Sequence, residues 1–264
     1  MIKHYHYKGK SISYQISGKG EALLLLHGFC EDSKIWDRYS EHFSEKYTVI
    51  RPDLPGFGNS EYIGATSMEE MAHIVFEILK AENFEHCFFV GHSMGGYVAM
   101  AFAEQYPESL KALCLFHSHP FEDLEEKKMN RKKTIDFMNR WGVAPFVKEL
   151  VAHLFAKDFR SKNPEIVQKL IDRASVYSKD ALIAATEAMI YRKDRSELLK
   201  NLKIPVLFII GEFDEAIPEE FSRRQLELNP GATSVILPIG HMGMFEAEEA
   251  TLRVLDAFVS KEDE

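Results

Sequence analysis

The pentapeptide Gly91-His92-Ser93-Met94-Gly95 sets a serine between two glycines. A serine hydroxyl attacks a carbonyl only when a base removes its proton, and that base is ordinarily a histidine oriented by a carboxylate. The pentapeptide follows the apolar run His86-Cys87-Phe88-Phe89-Val90 and precedes a helical stretch, residues 97–106, that stops at Pro107. A strand-to-helix turn there lifts Ser93 Oγ to the C-terminal edge of a sheet, and the flanking glycines relieve the crowding of the turn. The backbone N–H groups that open the helix, Met94 first, point toward negative charge developing on a substrate oxygen. The bland alternative is a glycine-rich turn with an incidental serine, and the strand-helix setting argues against it.

Of eleven histidines only His241 lies beyond His153, in Ile239-Gly240-His241-Met242 after the apolar run 235–237. It is the candidate base. Asp214, in Gly211-Glu212-Phe213-Asp214, follows the run 206–210 and is a candidate orienting acid. Glu212, Glu215 and Asp123 stay open as alternatives. His27-Gly28-Phe29 ends the run 22–26, so the Phe29 N–H is placed to share an oxyanion with Met94. Other motifs weigh less. Gly56-Phe57-Gly58 lacks the third glycine of a dinucleotide site. His117 and His119 have no third ligand nearby in sequence, so no metal is expected and they read as pocket support. Nothing marks Cys30, Cys87 or Cys114 as a thiolate, and no cofactor is implied.

These residues need a scaffold that brings strand ends together. The runs 22–26, 47–50, 88–90, 112–116 and 206–210, with a weaker one at 235–237, are short and continuously apolar. That is the pattern of strands buried on both faces of a parallel sheet. Residues 3–8 and 11–17 instead alternate around Gly9-Lys10 and read as an edge hairpin. Met71, Ile74, Val75, Ile78 and Leu79 form a helical stripe preceded by a Thr66 to Glu69 capping box. The spacing predicts an α/β fold, a mostly parallel central sheet flanked by helices. From 119 to 196 no buried strand appears. Asn163-Pro164 and Ser178 instead open amphipathic helices, so this stretch reads as an all-helical cap inserted into a core made of 1–118 and 197–264. Its apolar residues, Phe121, Phe137, Met138, Trp141, Phe146, Leu154, Phe155 and Met189, suit either a pocket wall or the cap's own core. The basic run 127–133 reads as a solvated helix with pairs such as Asp123 to Lys127.

The chain has 264 residues, enough to bury a core without disulfides or metal. A formal charge of −9 makes nucleic acid an improbable partner. Three scattered cysteines fit a reducing compartment. No signal-like N-terminus and no membrane-length apolar run are seen, so a cytoplasmic protein with no membrane partner is expected. The charge is uneven. Residues 119–196 hold sixteen Lys and Arg against twelve Asp and Glu, so a net +4 cap sits on a strongly acidic body.

His27-Gly28-Phe29, the stretch Asp53-Leu54-Pro55-Gly56-Phe57-Gly58-Asn59-Ser60, Gly91-His92-Ser93-Met94-Gly95-Gly96, Gly211-x-x-Asp214 and Gly240-His241 resemble, in order, the α/β-hydrolase fold family. The resemblance implies Ser93 as nucleophile, His241 as base, Asp214 as acid, and the Phe29 and Met94 N–H groups as the oxyanion hole. It also implies a cap over the site. The expected activity is a serine hydrolase acting on a small to medium carboxylic ester. The same triad also suits C–C bond hydrolysis, a lyase-type reaction or a ligand sensor with little turnover.

Overall fold

The structure, a computed structural model, describes residues 1–261. Its strands are β1 Ile2–Tyr7, β2 Lys10–Gly18, β3 Ala22–Leu26, β4 Thr48–Pro52, β5 Cys87–His92, β6 Leu110–Phe116, β7 Val206–Gly211 and β8 Thr233–Leu237. They form one sheet in the order β1-β2-β4-β3-β5-β6-β7-β8. β1 and β2 are the expected hairpin, with Lys8 and Gly9 both at positive φ in the two-residue turn. β2 runs antiparallel to β4, and every later pairing is parallel.

The apolar runs explain this order. Every residue of β3, β4, β5 and β7 is buried, because helices cover both faces. β8 is the far edge strand and only half covered, which is why its run is weaker. Register then sets the site. Leu26 pairs with Gly91, His92 with Phe116, Phe116 with Ile209 and Gly211 with Leu237. The strands therefore end nearly level, and the residues that follow them meet along one edge.

The flanking helices are α1 Asp37–Phe43, α2 Met68–Ala81 and α3 Met94–Gln105, then α9 Ser196–Asn201, α10 Glu219–Leu228, α11 Gly243–Glu246 and α12 Glu248–Lys261. α3 is buried from Met94 to Ala103, between the sheet and α2. α2 buries the predicted stripe but starts one residue later than the capping box requires. Ser67 Oγ accepts from the Glu70 N–H at 3.1 Å, and the Glu69 carboxylate turns instead to Arg195 at 2.6 Å.

Between β6 and β7 stand α4 Glu125–Trp141, α5 Val143–Leu154, α6 Lys157–Lys162, α7 Pro164–Ala174 and α8 Lys179–Ile190. Ser178 caps α8 through the Ala181 N–H. Pro164 opens α7, but the Asn163 amide does not cap it. That amide donates to Phe159 O at 3.0 Å, closing the last turn of α6. The chain enters and leaves this segment at neighbouring points. Arg195 N–H donates to Pro120 O at 2.8 Å, and Arg192 Nε donates to Phe121 O at 3.0 Å. Arg195 also bonds Glu69 and Glu104 on the sheet's flanking helices. Among the described residues, no helix is long and apolar enough to cross a membrane.

Candidate active site

Ser93 sits between β5 and α3 at φ 51°, ψ −116°, a conformation that side chains other than glycine rarely adopt. Its N–H donates to Phe116 O at 3.0 Å and its C=O accepts from Ser118 Oγ at 2.7 Å, so strand β6 pins the turn from below. The glycines are sterically required. A Cβ on Gly91 would meet Gly95 O at 2.5 Å, and one on Gly95 would meet His27 O and Leu26 O at 2.6 Å. The adjacent loop comes just as close, since a Cβ on Gly28 would lie 3.0 Å from Ser93 Cβ.

Asp214 follows β7 in a turn whose Phe213 N–H is tied to Ile239 O. Its Oδ1 accepts from the N–H groups of Ala216 and Ile217 at 2.8 and 2.9 Å. Its Oδ2 accepts from His241 Nδ1 at 2.7 Å. Burial opposes the charge, yet the His241 imidazole bonded to it holds the carboxyl well below the usual carboxylate range. With Nδ1 committed to Asp214, the free nitrogen of His241 is Nε2. His241 also takes a strut from the helical segment, its N–H donating to Leu154 O at 2.7 Å.

Ser93, His241 and Phe29 line one cavity of about 100 Å³, together with Glu31, Tyr97, Ala216 and Ile217 from the sheet edge. Lys127, Arg131, Leu150, Leu154 and Met189 close it from α4, α5 and α8. Ser93 Oγ and His241 make no direct hydrogen bond in this structure. Such bonds commonly tighten only around substrate. Met94 is the first residue of α3, so its N–H has no acceptor within the helix. The Phe29 N–H likewise has no protein acceptor among the described residues. A larger hollow of about 610 Å³ lies beyond Asp214, lined by Phe159, Phe213 and Pro238, and contains neither Ser93 nor His241.

The alternative acids go elsewhere. Glu212 and Glu215 are exposed. Asp123 is buried but faces Arg131 Nε at 2.5 Å and Arg192 Nη2 at 2.8 Å, not Lys127 as its spacing suggested. Lys128 takes the surface pairs instead, with Glu122 and Glu125. Of the eight apolar residues that the sequence singled out in the segment, Leu154 and Met189 reach the cavity, and Leu150 joins them. Phe121 and Met138 are buried, and Trp141 is exposed. The three cysteines are buried, and burial pushes their thiols up, away from thiolate character.

Sequence reading missed a buried pair behind the site. Glu31 Oε2 accepts from Gly28 N–H at 2.6 Å and faces His92 Nδ1 at 2.9 Å, while His92 Nε2 faces His241 O at 2.9 Å. Both ring nitrogens of His92 meet acceptors, so both carry protons and the ring is an imidazolium. Burial opposes that charge, but the Glu31 carboxylate outweighs it and raises the His92 pKa. One ion pair thus joins the Phe29 loop, the serine turn and the His241 backbone. Glu31 and His92 are 61 residues apart, and neither residue type marks the other in sequence. His27 is fixed as well: its Nε2 accepts from Leu54 N–H, so Nδ1 donates to Gly28 O.

His117, Asp214 and His241 bring ligand-capable atoms within 4.8 Å of one another. Asp214 already spends both oxygens on three hydrogen bonds, so a cation there would have to break the Asp214–His241 bond.

The profile described as alpha/beta hydrolase fold matches residues 21–248. The chain belongs to the α/β-hydrolase fold family. This hydrolase is 28% identical to Lipase 1 of Psychrobacter immobilis, over 96% of its own length and 81% of the lipase. It is also 28% identical to the pimeloyl-[acyl-carrier protein] methyl ester esterase of Aeromonas hydrophila, covering 94% of the hydrolase and 99% of that esterase. Among solved structures, a malate-bound thermophilic esterase from Thermogutta terrifontis superposes with a TM-score of 0.91 at 29% identity, covering 99% and 97% of the two chains.

Proposed function

We propose that this hydrolase cleaves carboxylic esters of small to medium molecules through an acyl-enzyme on Ser93. The Asp214–His241 bond of 2.7 Å carries the reading, because it leaves Nε2 free on a histidine that lines the same cavity as Ser93. The named lipase and esterase relatives support the same reaction class.

Ser93 Oγ attacks the ester carbon while its proton passes to His241 Nε2, and the carbonyl π pair moves onto oxygen. The Phe29 and Met94 N–H groups stabilise that oxyanion. Asp214 keeps the imidazolium oriented and balances its charge. The C–O bond to the leaving group breaks as His241 returns its proton to the departing alkoxide. Water then adds to the acyl carbon, giving a proton to His241, and collapse releases the acid and returns the proton to Ser93. In this reading the segment 119–196 is a cap over the core of 1–118 and 197–264. The partner is a small ester, and no metal or cofactor takes part.

Ser93→Ala is expected to lower kcat for 4-nitrophenyl butyrate by about 10³-fold or more. An ethyl fluorophosphonate should add one covalent group to the intact chain and none to the variant. Full turnover by Ser93→Ala would sink the proposal.

A further inference from the structure

Two cations stand where an ester hydrolase needs none. Lys127 and Arg131 lie one helical turn apart on α4 and both line the cavity that holds Ser93. Arg131 donates Nε to Asp123 and keeps its two terminal nitrogens without a protein partner among the described residues. Asp123 is already matched twice, by Arg131 and by the buried Arg192. Lys127 is exposed and has no ion pair or hydrogen bond among the described residues. Glu126, its chain neighbour, lines the adjoining cavity with it but makes no ion pair with Lys127 among the described residues.

The carboxylates that line the Ser93 cavity or hold its histidine are spoken for. Glu31 also lines the cavity, but its carboxylate holds Gly28 N–H and the His92 imidazolium. Asp214 holds His241. A second cavity of about 190 Å³ abuts the first, sharing Tyr97, Lys127 and Ala216, with His119, Asp123, Glu126, Pro218 and Phe221 beyond. Lys127 thus stands at the junction of a chamber containing Ser93 and a chamber that does not. The two chambers together approach the lower end of small-molecule sites, about 300 Å³.

We propose that the substrate is an acidic ester, carrying a free carboxylate at a distance from the scissile bond, and that Lys127 and Arg131 bind that carboxylate. The proposal rests on the ester-hydrolase reading and names its substrate class. A carboxylate accepts charge-assisted hydrogen bonds from an ammonium and from a guanidinium edge at once, which a neutral acyl chain does not. Crowding by protein and the Arg131 guanidinium push the Lys127 ammonium down from its ordinary value, as expected of a cation lacking its counter-ion.

Two measurements test it. The first compares kcat/KM for monomethyl glutarate with that for the methyl ester of its neutral monoamide, in the wild type and in Lys127→Met. The wild type is expected to favour the charged ester tenfold or more. That ratio should collapse toward one in Lys127→Met, return in Lys127→Arg, and shrink as salt is raised. The second is calorimetric binding of glutarate itself, which needs no turnover. It should be measurable for the wild type and at least tenfold weaker for Lys127→Met. Equal rates for the two esters, or glutarate binding that ignores Lys127, overturns the acidic-substrate proposal. Failure of the hydrolase reading looks different: glutarate binds as expected, but neither ester is cleaved and Ser93 resists the fluorophosphonate.

Discussion

Three histidine rings crowd the floor of the site, and two of them are held by hydrogen bonds. His92 bridges Glu31 and the His241 carbonyl, and His241 bonds Asp214. His117 packs beside both rings with Nδ1 3.4 Å from Asp214 Oδ2 and no hydrogen bond to either nitrogen. Burial lowers its pKa from 6.5 to about 4 despite that carboxylate, so the ring is neutral at pH 7. An unfolded chain takes up a proton near pH 6.5 that the folded chain refuses until about pH 4. His117 therefore makes stability highest above 6.5 and erodes it as pH falls toward 4, by about 3 kcal/mol. Urea midpoints measured from pH 7 to 4 should fall less steeply for His117→Asn than for the wild type. Parallel curves would show that the ring is protonated in the fold. Ser93 and His241 were legible because each follows a strand signal in a glycine-marked turn. Lys127 was not, since a lysine in a basic run looks the same whether it meets water or a cavity.

The elements succeed by meeting at one edge, and the serine turn is where their tolerances are smallest. β3 and α3 approach so closely at Gly95 that a single methyl group would strike two backbone oxygens. Neither oxygen can swing aside, so Gly95→Ala is expected to cost about 2–3 kcal/mol. Calorimetry should show Tm lowered by roughly 5–10 °C. An unchanged Tm would mean that strand and helix stand farther apart. The strands β3, β5, β6 and β7 were legible because burial on both faces writes an uninterrupted apolar run. Helix starts were less so. Thr66 and Ser67 both offer a hydroxyl three residues before a glutamate, and only the docking of Glu69 on Arg195 decides between them. Asn163 failed as a cap for a similar reason, because the helix before it claimed its amide first.

Across the whole molecule the charge is arranged in two layers, an acidic sheet-bearing body and a +4 helical segment whose helices close the Ser93 cavity. The layers are held together at the segment's two ends, where Arg195 ties Pro120 to Glu69 and Glu104. Arg195 is almost fully buried, but its partners are partly exposed and can rehydrate, so Arg195→Met is expected to cost about 2 kcal/mol. A urea midpoint checks the size, and hydrogen exchange should show the loss of protection concentrated in α8. A purely global loss would argue against this junction. The same closed junction bears on how the protein can change. Because the segment begins and ends at neighbouring points, the body sees it as a loop whose ends are already joined. Lengthening such a loop adds only a logarithmic entropy, about 0.6 kcal/mol for each doubling. Helices that carry Lys127, Arg131 and Met189 can therefore be extended, trimmed or exchanged while the strand register below stays fixed. New substrate preferences become accessible to this chain without refolding the machinery that breaks the bond.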